Sequence, residues 1–145
     1  MRREAARSRS VSIPVLVAVA ALAPAGPALA HWPPVPVEIT ELPEQRLASP
    51  VEAAAYYVVA EAITNVTKYA RASHVTVSVR RSRECATVTV SDDGVGGADA
   101  AHGTGLRGLA DRIEALDGQF YLDSPPERGT RISAEIPVPR SPAPA

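Results

Sequence analysis

A run of acids and glycines near the middle of the chain could hold a flat ligand. It reads Asp92-Asp93-Gly94-Val95-Gly96 and follows an alternating apolar stretch. An ordinary turn explains such a run, since Asp and Gly dominate turns. The functional alternative is a carboxylate that accepts hydrogen bonds from an exocyclic amine such as that of adenine, beside glycines that let the backbone come close. A metal site is less favoured, because no His or further acid lies at ligand spacing nearby.

A second glycine cluster, Gly103-Thr104-Gly105, precedes apolar residues at helical spacing. The free N–H groups and the positive dipole end of such a helix favour a phosphate. Residues 103–108, which end at Gly108, also fit the dinucleotide-binding fingerprint G-x-G-x-x-G, and Asp123 lies twenty residues after Gly103. That fingerprint must directly follow a strand within repeated βαβ units, whereas here a loop of about residues 92–102 intervenes. A Rossmann fold therefore stays only an alternative.

Three polar side chains share one side of a long apolar stretch. Glu61, Asn65 and Lys68 fall within a narrow arc on a helical wheel of residues 50–70. The opposite side of that wheel carries Ala55, Val59, Ala62, Ile63, Val66 and Ala70. A mid-helix Asn lowers helix stability by at most about 0.7 kcal/mol, which invites a functional explanation. A solvated helix face with i,i+3 and i,i+4 contacts gives the same pattern.

Sequence periodicity then predicts the elements that must position these groups. Residues 35–39, which include Pro36, could form an edge strand, because proline is tolerated at the edge of a sheet. Ser49 as N-cap and Pro50 at the first position predict a helix that runs to about Ala70. Alternating apolar residues predict strands over 75–80, 86–90, 120–122 and 131–136, the first two as an antiparallel hairpin. Gly118 suits the position after the C-terminus of the second helix.

Length and charge set further limits. The chain has 145 residues and a formal net charge of −1, which suits one domain without an electrostatic footprint for nucleic acid. Its first thirty residues have the layout of a secretory signal peptide, and their apolar run is shorter than the roughly 20 residues of a membrane span. A remnant of a longer upstream helix is the alternative. We expect a signal-like or irregular segment over 1–34, a domain over 35–139 and a disordered tail over 140–145.

Four motifs stand in order along the chain: Glu61…Asn65…Lys68, Asp92-x-Gly94-x-Gly96, Gly103-x-Gly105-Leu106 and Gly129-Thr130. Together they resemble the ATP-binding domain shared by sensor histidine kinases, Hsp90, gyrase and mismatch-repair ATPases, over about residues 35–139. Bacterial kinases that partner NarL-type response regulators are the most similar. The resemblance implies an α+β fold, a two-layer α/β sandwich of the Bergerat type. Its sheet would be mixed and mostly antiparallel, with helices on one face.

The same resemblance implies residue roles around ATP and Mg²⁺. Asn65 would supply an oxygen to Mg²⁺, a hard ion that prefers oxygen ligands. Glu61 would position a water or act as a base, and Lys68 would meet a phosphate as a point charge. Asp92 would bind the adenine amine. The other implied nucleotide contacts are Gly94, Gly96, Gly103, Thr104, Gly105, Leu106 and Thr130.

The chain departs from these kinases in its histidines. The kinases carry a phospho-acceptor His on a dimerising helix, and no histidine of this chain has that setting. His31 precedes Trp-Pro-Pro, which cannot continue a helix, and His74 opens a strand. His102 ends a short irregular stretch, residues 98–102, which we interpret as a mobile lid. We therefore expect a cytoplasmic histidine kinase domain that phosphorylates only in trans. Its partners would be a dimerisation and phospho-acceptor histidine domain and a response regulator. Membrane contact would occur only through the N-terminal apolar segment.

Three other functions remain open from the sequence. One is a serine kinase of the anti-sigma-factor type, which shares the fold and similar motifs. Another is a non-catalytic module that binds ATP but labels no partner. The third is an exported protein with a degenerate site, which the signal-like start would serve.

Overall fold

The computed structural model describes residues 35–139, apart from the side chain of Thr104. The signal-like segment, His31 and the tail from residue 140 lie outside the described residues. The predictions made for them, and the domain boundaries drawn beside them, therefore stay predictions.

Five strands form a single mixed sheet within this range. They are β1 (Val37–Glu41), β2 (Val75–Arg81), β3 (Cys85–Asp92), β4 (Gln119–Asp123) and β5 (Thr130–Pro137). Their spatial order is β1-β2-β3-β5-β4. Only β1 and β2 pair in parallel, and the other three pairings are antiparallel. The mostly antiparallel sheet is therefore confirmed, and the Rossmann alternative is wrong because that fold needs a parallel sheet.

Two helices pack on one face of the sheet. Helix α1 (Ser49–Asn65) continues into a π-helical turn at Val66–Ala70 and crosses β2, β3 and β5. Helix α2 (Thr104–Glu114) packs against α1, β4 and β5. The two-layer α/β sandwich is thereby confirmed. Neither helix of the described residues combines the length and the apolar character needed to cross a bilayer.

Helix α1 begins one residue earlier than its sequence predicts. Ser49 is already helical, and the N-cap is Ala48, which has extended backbone and makes no side-chain capping bond. Pro50 lies in the first turn, where its missing N–H leaves no bond unmade. The prediction of Ser49 as N-cap is thus wrong, although the extent of the helix to Ala70 is confirmed.

The core consists of small and branched aliphatic side chains between the two layers. Alternate positions of β2, β3 and β5 point at the helices, and the apolar side of α1 closes over them. Buried members are Val58, Val59, Ala62, Ile63, Val66, Val75, Val77, Val79, Ala86, Val88, Val90, Ile113, Ile132, Ala134 and Ile136. Burying a Val or Ile side chain contributes about 1.5–3 kcal/mol, so this core fixes α1 against β2, β3 and β5.

Helix α2 ends through a turn in which the expected glycine has a different task. The left-handed residue is Asp117, with φ at +58°, whereas Gly118 has no positive φ. A Cβ at Gly118 would lie 2.6 Å from the carbonyl oxygen of Glu135 and 2.8 Å from the Ile113 side chain. Gly118 therefore allows close packing of this turn against β5.

Candidate functional site

One cavity of about 810 Å³ lies between the second half of α1, the end of β3 and the start of α2. This volume is within the roughly 300–1,000 Å³ usual for small-molecule sites. The predicted site residues on its wall are Glu61, Asn65, Lys68, Asp92, Gly96, Gly103, Gly105, Leu106 and Thr130. Gly94 does not line it, and the side chain of Thr104 is not described. Motifs that are distant in sequence thus meet in one place.

The polar stripe of α1 forms one wall of the cavity. Glu61 and Asn65 are half-buried there, and Lys68 is exposed at the edge. Apart from the side chain of Thr104, which is not described, no protein group of residues 35–139 hydrogen-bonds to these three side chains. Their acid, amide and amine groups are therefore available to a ligand.

The end of α1 is wider than a regular helix. The hydroxyls of Thr64 and Thr67 donate to carbonyl oxygens four residues earlier, at 2.7 and 2.9 Å, and such bonds often bend helices. Residues Val66–Ala70 then form the π-helical turn, a feature that is frequent at functional sites. Lys68 and Tyr69 lie on this turn and line the cavity, with Tyr69 70% exposed. The sequence did not predict the π geometry.

Asp92 forms the floor of the cavity at the end of β3. Its Oδ1 accepts the N–H of Gly94 at 2.8 Å, and it pairs in register with Thr130 of β5. Burial raises the pKa of this carboxyl, and hydrogen bonds from the N–H groups of Gly94 and Thr130 oppose that rise, while the charge of Asp93 adds to it. A half-buried carboxylate beside a large cavity is suited to accept hydrogen bonds from a neutral amine.

Asp93 has a separate, structural task. Its carboxylate accepts the N–H groups of Ser73 and His74 at 2.8 and 2.9 Å, and also the Ser73 hydroxyl. The Ser73 hydroxyl and the His74 N–H lower the pKa of Asp93. This carboxylate therefore holds the loop between the π-helical turn and β2, outside the cavity.

Two of the predicted glycines allow loops to pack closely. A Cβ at Gly94 would lie 2.2 Å from the carbonyl oxygen of Ala70, which also accepts the Val95 N–H at 2.7 Å. The structure thus places Gly94 against the π-helical turn and not on the cavity wall. Gly96 has φ at +64°, and a Cβ there would lie 2.1 Å from the carbonyl oxygen of Pro125.

The lid region is a short turn stabilised by its own side chains. The Asp99 carboxylate accepts the Ala101 N–H at 2.8 Å and pairs with Nδ1 of His102 at 2.7 Å. The hydrogen bond from the Ala101 N–H lowers the pKa of Asp99 most, and the hydrogen bond with the His102 side chain lowers it further. Asp99 and His102 line the cavity, and Gly103 follows with extended backbone before α2 begins.

Ser124 is a site-supporting residue that the sequence did not single out. Its Oγ lies 2.7 Å from Oγ1 of Thr130 and accepts the Ala98 N–H at 2.9 Å. Its carbonyl oxygen accepts the Gly97 N–H at 2.8 Å. Ser124 therefore joins the Thr130 side of the cavity to the base of the lid. Its sequence context, Ser-Pro-Pro, indicates only a turn, so the sequence holds no signal for this role.

The sequence of the chain matches a known protein family. The family described as histidine kinase-, DNA gyrase B-, and HSP90-like ATPase matches residues 51–140. The chain belongs to this family.

Known sensor kinases are similar in sequence to the chain. The oxygen sensor histidine kinase NreB of Staphylococcus carnosus is 37% identical over 103 residues, which are 68% of this chain and 30% of NreB. The histidine-protein kinase/phosphatase DegS of Brevibacillus brevis is 35% identical over 97 residues, 65% of this chain and 25% of DegS. The chain thus spans less than a third of the length of either relative.

Solved structures of similar shape include the ATP binding domain of PrrB from Mycobacterium tuberculosis. It has a TM-score of 0.62 and 21% identity, and the match covers 88% of this chain and 93% of that domain. A blue-light activated histidine kinase from Erythrobacter litoralis has a TM-score of 0.60 and 21% identity over 77% of this chain and 38% of that kinase. At this level of identity the likeness shows the fold.

Proposed function

We propose that the chain contains the ATP·Mg-binding catalytic domain of a two-component sensor histidine kinase, which transfers the γ-phosphate of ATP to a histidine. The observation that carries the proposal is the cavity of about 810 Å³ shared by Asn65 of α1 and Asp92 of β3. A carboxylate and an amide on separate elements face a space that is large enough for a nucleotide. Membership of the ATPase family supports the same conclusion.

The Asp92 end of the cavity fits an adenine ring. The carboxylate would accept the exocyclic amine, and the Thr130 hydroxyl beside it would support the adjacent ring edge. Apolar walls at Val90 and Ile132 provide contact for a flat ring. Gly96 lines this side of the cavity, and its missing side chain lets the loop pack against the carbonyl oxygen of Pro125.

The α1–α2 end of the cavity fits the phosphates. Lys68 would contact a phosphate as a point charge, and Gly103 and Gly105 lie at the start of α2, where free N–H groups favour anions. Within residues 35–139, no group of three or more His, Cys, Asp or Glu side chains is arranged to hold a metal. Asn65 would therefore hold Mg²⁺ mainly together with phosphate oxygens and water, and the ion would neutralise phosphate charge.

Glu61 is the proposed base or water-positioning group at the phosphate end. Its carboxylate would accept a proton from the attacking group or orient that group. His74 and His102, the histidines within residues 35–139, lie at the start of β2 and in the lid, and neither is on a helix. We infer that transfer occurs in trans to a separate dimerisation and phospho-acceptor domain, with a response regulator as the next recipient. A NarL-type regulator is compatible with the likeness to NreB and DegS.

Calorimetric titration with Mg·ATP tests the nucleotide assignment. We expect Asp92→Asn to weaken binding about 10- to 100-fold, since it removes a hydrogen bond to a charged group. Asp93→Asn is the matched control, because the neighbouring acid lies outside the cavity, and it should bind normally. Asn65→Ala should bind ATP with the same affinity whether or not Mg²⁺ is present. Equal losses for Asp92→Asn and Asp93→Asn would contradict the assignment.

Transfer of labelled γ-phosphate tests the reaction class. The chain would be mixed with an isolated phospho-acceptor domain of a sensor kinase, and we expect acid-labile label on that domain. Acid-stable label on a serine would instead identify a serine kinase, and ATP binding without any labelled acceptor would indicate a non-catalytic module. Because ATP is the proposed substrate, we also propose that the domain acts in the cytoplasm, which fractionation of the tagged full chain would test.

A further inference from the structure

Helix α2 contacts the proposed catalytic acid through a glycine in its first turn. A Cβ built on Gly105 would lie 1.8 Å from Oε1 of Glu61, 2.8 Å from its Cδ and 3.5 Å from Oε2. The three nearest heavy atoms thus all belong to one side-chain carboxylate. Gly103 and Gly108, on either side, have nothing within 4 Å of the same built atom.

The presence of glycine at position 105 is explained by this contact with Glu61 and not by backbone conformation. Gly105 is helical and has no positive φ, so an alanine would fit its backbone. What an alanine would displace is the flexible end of Glu61, since no backbone atom is among the near neighbours. The amino end of a helix also attracts a carboxylate through its free N–H groups and its dipole.

We propose that Gly105 is a positioning residue for Glu61. The missing side chain lets the first turn of α2 pack directly on the carboxylate and limits where that carboxylate points. The lid over residues 98–102 leads straight into α2, so a lid movement that shifts this turn also shifts Glu61. This inference rests on the proposed function and deepens it, because it links the lid to the group that acts on the phosphate end.

The test compares Gly105→Ala with Gly108→Ala. Both variants make the same change within α2, but only the first places a methyl group against Glu61. Transfer is measured at saturating Mg·ATP, so that a change in Kd caused by a methyl group in the cavity does not enter the rate. The rate of γ-phosphate transfer by Gly105→Ala should fall about 10- to 100-fold, as for a misplaced base. Gly108→Ala should leave this rate unchanged.

A double-mutant cycle separates positioning of Glu61 from a direct effect on the phosphates. In a Glu61→Ala background, Gly105→Ala should cause no further loss of transfer rate. The same fold loss in both backgrounds would overturn the proposal, and so would equal rates for the Gly105 and Gly108 variants.

A second measurement needs neither nucleotide nor activity. The ¹³C resonance of the Glu61 carboxylate, assigned with Glu61→Gln, should shift in nucleotide-free Gly105→Ala and stay unchanged in Gly108→Ala. Thermal unfolding should show both variants folded. An unmoved Glu61 resonance in Gly105→Ala overturns the proposal. Failure of the wild type to bind Mg·ATP would instead overturn the proposed function and leave the resonance test intact.

Discussion

A buried glycine in the turn between β4 and β5 touches the end of β3 and makes a sharp test of the site's geometry. Gly129 has φ at +76°, and a Cβ there would lie 2.0 Å from the carbonyl oxygen of Asp92 and 2.9 Å from its carbonyl carbon. These are backbone atoms of the β3–β5 ladder, so they cannot rotate away. The left-handed backbone costs a non-glycine residue about 1–2 kcal/mol, and overpacking adds about 1–3 kcal/mol. Gly129→Ala should therefore lower the free energy of unfolding by about 2–5 kcal/mol.

Gly97→Ala is the matched control for this prediction. Gly97 has φ at +77°, almost the same backbone conformation, yet nothing lies within 4 Å of its built Cβ. Its alanine variant should therefore lose only the backbone contribution of about 1–2 kcal/mol. The difference between the two variants isolates the steric contact with Asp92.

Urea denaturation followed by circular dichroism measures both changes at an unchanged m-value. Gly129→Ala should also weaken Mg·ATP binding, because the displaced backbone carries the Asp92 side chain. Equal destabilisation of Gly129→Ala and Gly97→Ala would refute the close approach of the turn to β3. Normal nucleotide affinity in a strongly destabilised Gly129→Ala would show that the Asp92 carboxylate does not depend on this contact.

Further predictions concern the two adjacent acids and the serine below the lid. Burial raises the pKa of Asp92, so ionised Asp92 lowers stability once pH exceeds its folded pKa. Asp92→Asn should hence stabilise the nucleotide-free protein at neutral pH, with the gain vanishing in acid. Hydrogen bonds lower the pKa of Asp93, so ionised Asp93 stabilises the folded protein at neutral pH. This stabilisation disappears as pH falls through the folded pKa of Asp93. Asp93→Asn should be destabilising at neutral pH. Thermal unfolding across pH tests both signs: a destabilised Asp92→Asn at neutral pH would contradict the first prediction, and a stabilised Asp93→Asn would contradict the second. Ser124→Ala should lose about 1 kcal/mol of stability and weaken Mg·ATP binding severalfold, whereas normal unfolding and titration curves would contradict the Ser124–Thr130 link.

Much of the fold follows from local patterns in the sequence. The alternation of valines in β2 and β3 and the helical spacing of apolar residues in α1 each reflect one buried face, which acts over a few residues. Strand and helix bounds were accurate to within one or two residues for this reason. The N-cap was predicted one residue too late because Ser49 is the favourable residue type, whereas the extended residue that precedes the helix is Ala48.

Other features depend on groups that are far apart in the chain. Asp92 and Asp93 are neighbours of the same type, and only the pairing of β3 with β2 and β5 decides which carboxylate faces the cavity. The tasks of Gly94 and Ser124 arise in the same way, since each contacts a loop that a local pattern does not contain.

By itself, the sequence determined the family, the sandwich of one mixed sheet under two helices, and the residue types that could bind a magnesium nucleotide. The tertiary structure alone decided that Glu61 packs on Gly105, that Asp92 and not Asp93 lines the cavity, and that Ser124 connects it to the lid. The physical reason is the sequence distance over which each kind of interaction acts. Periodicity and turn chemistry act between near neighbours, whereas close packing and hydrogen bonding at a site join atoms that only the folded chain brings together.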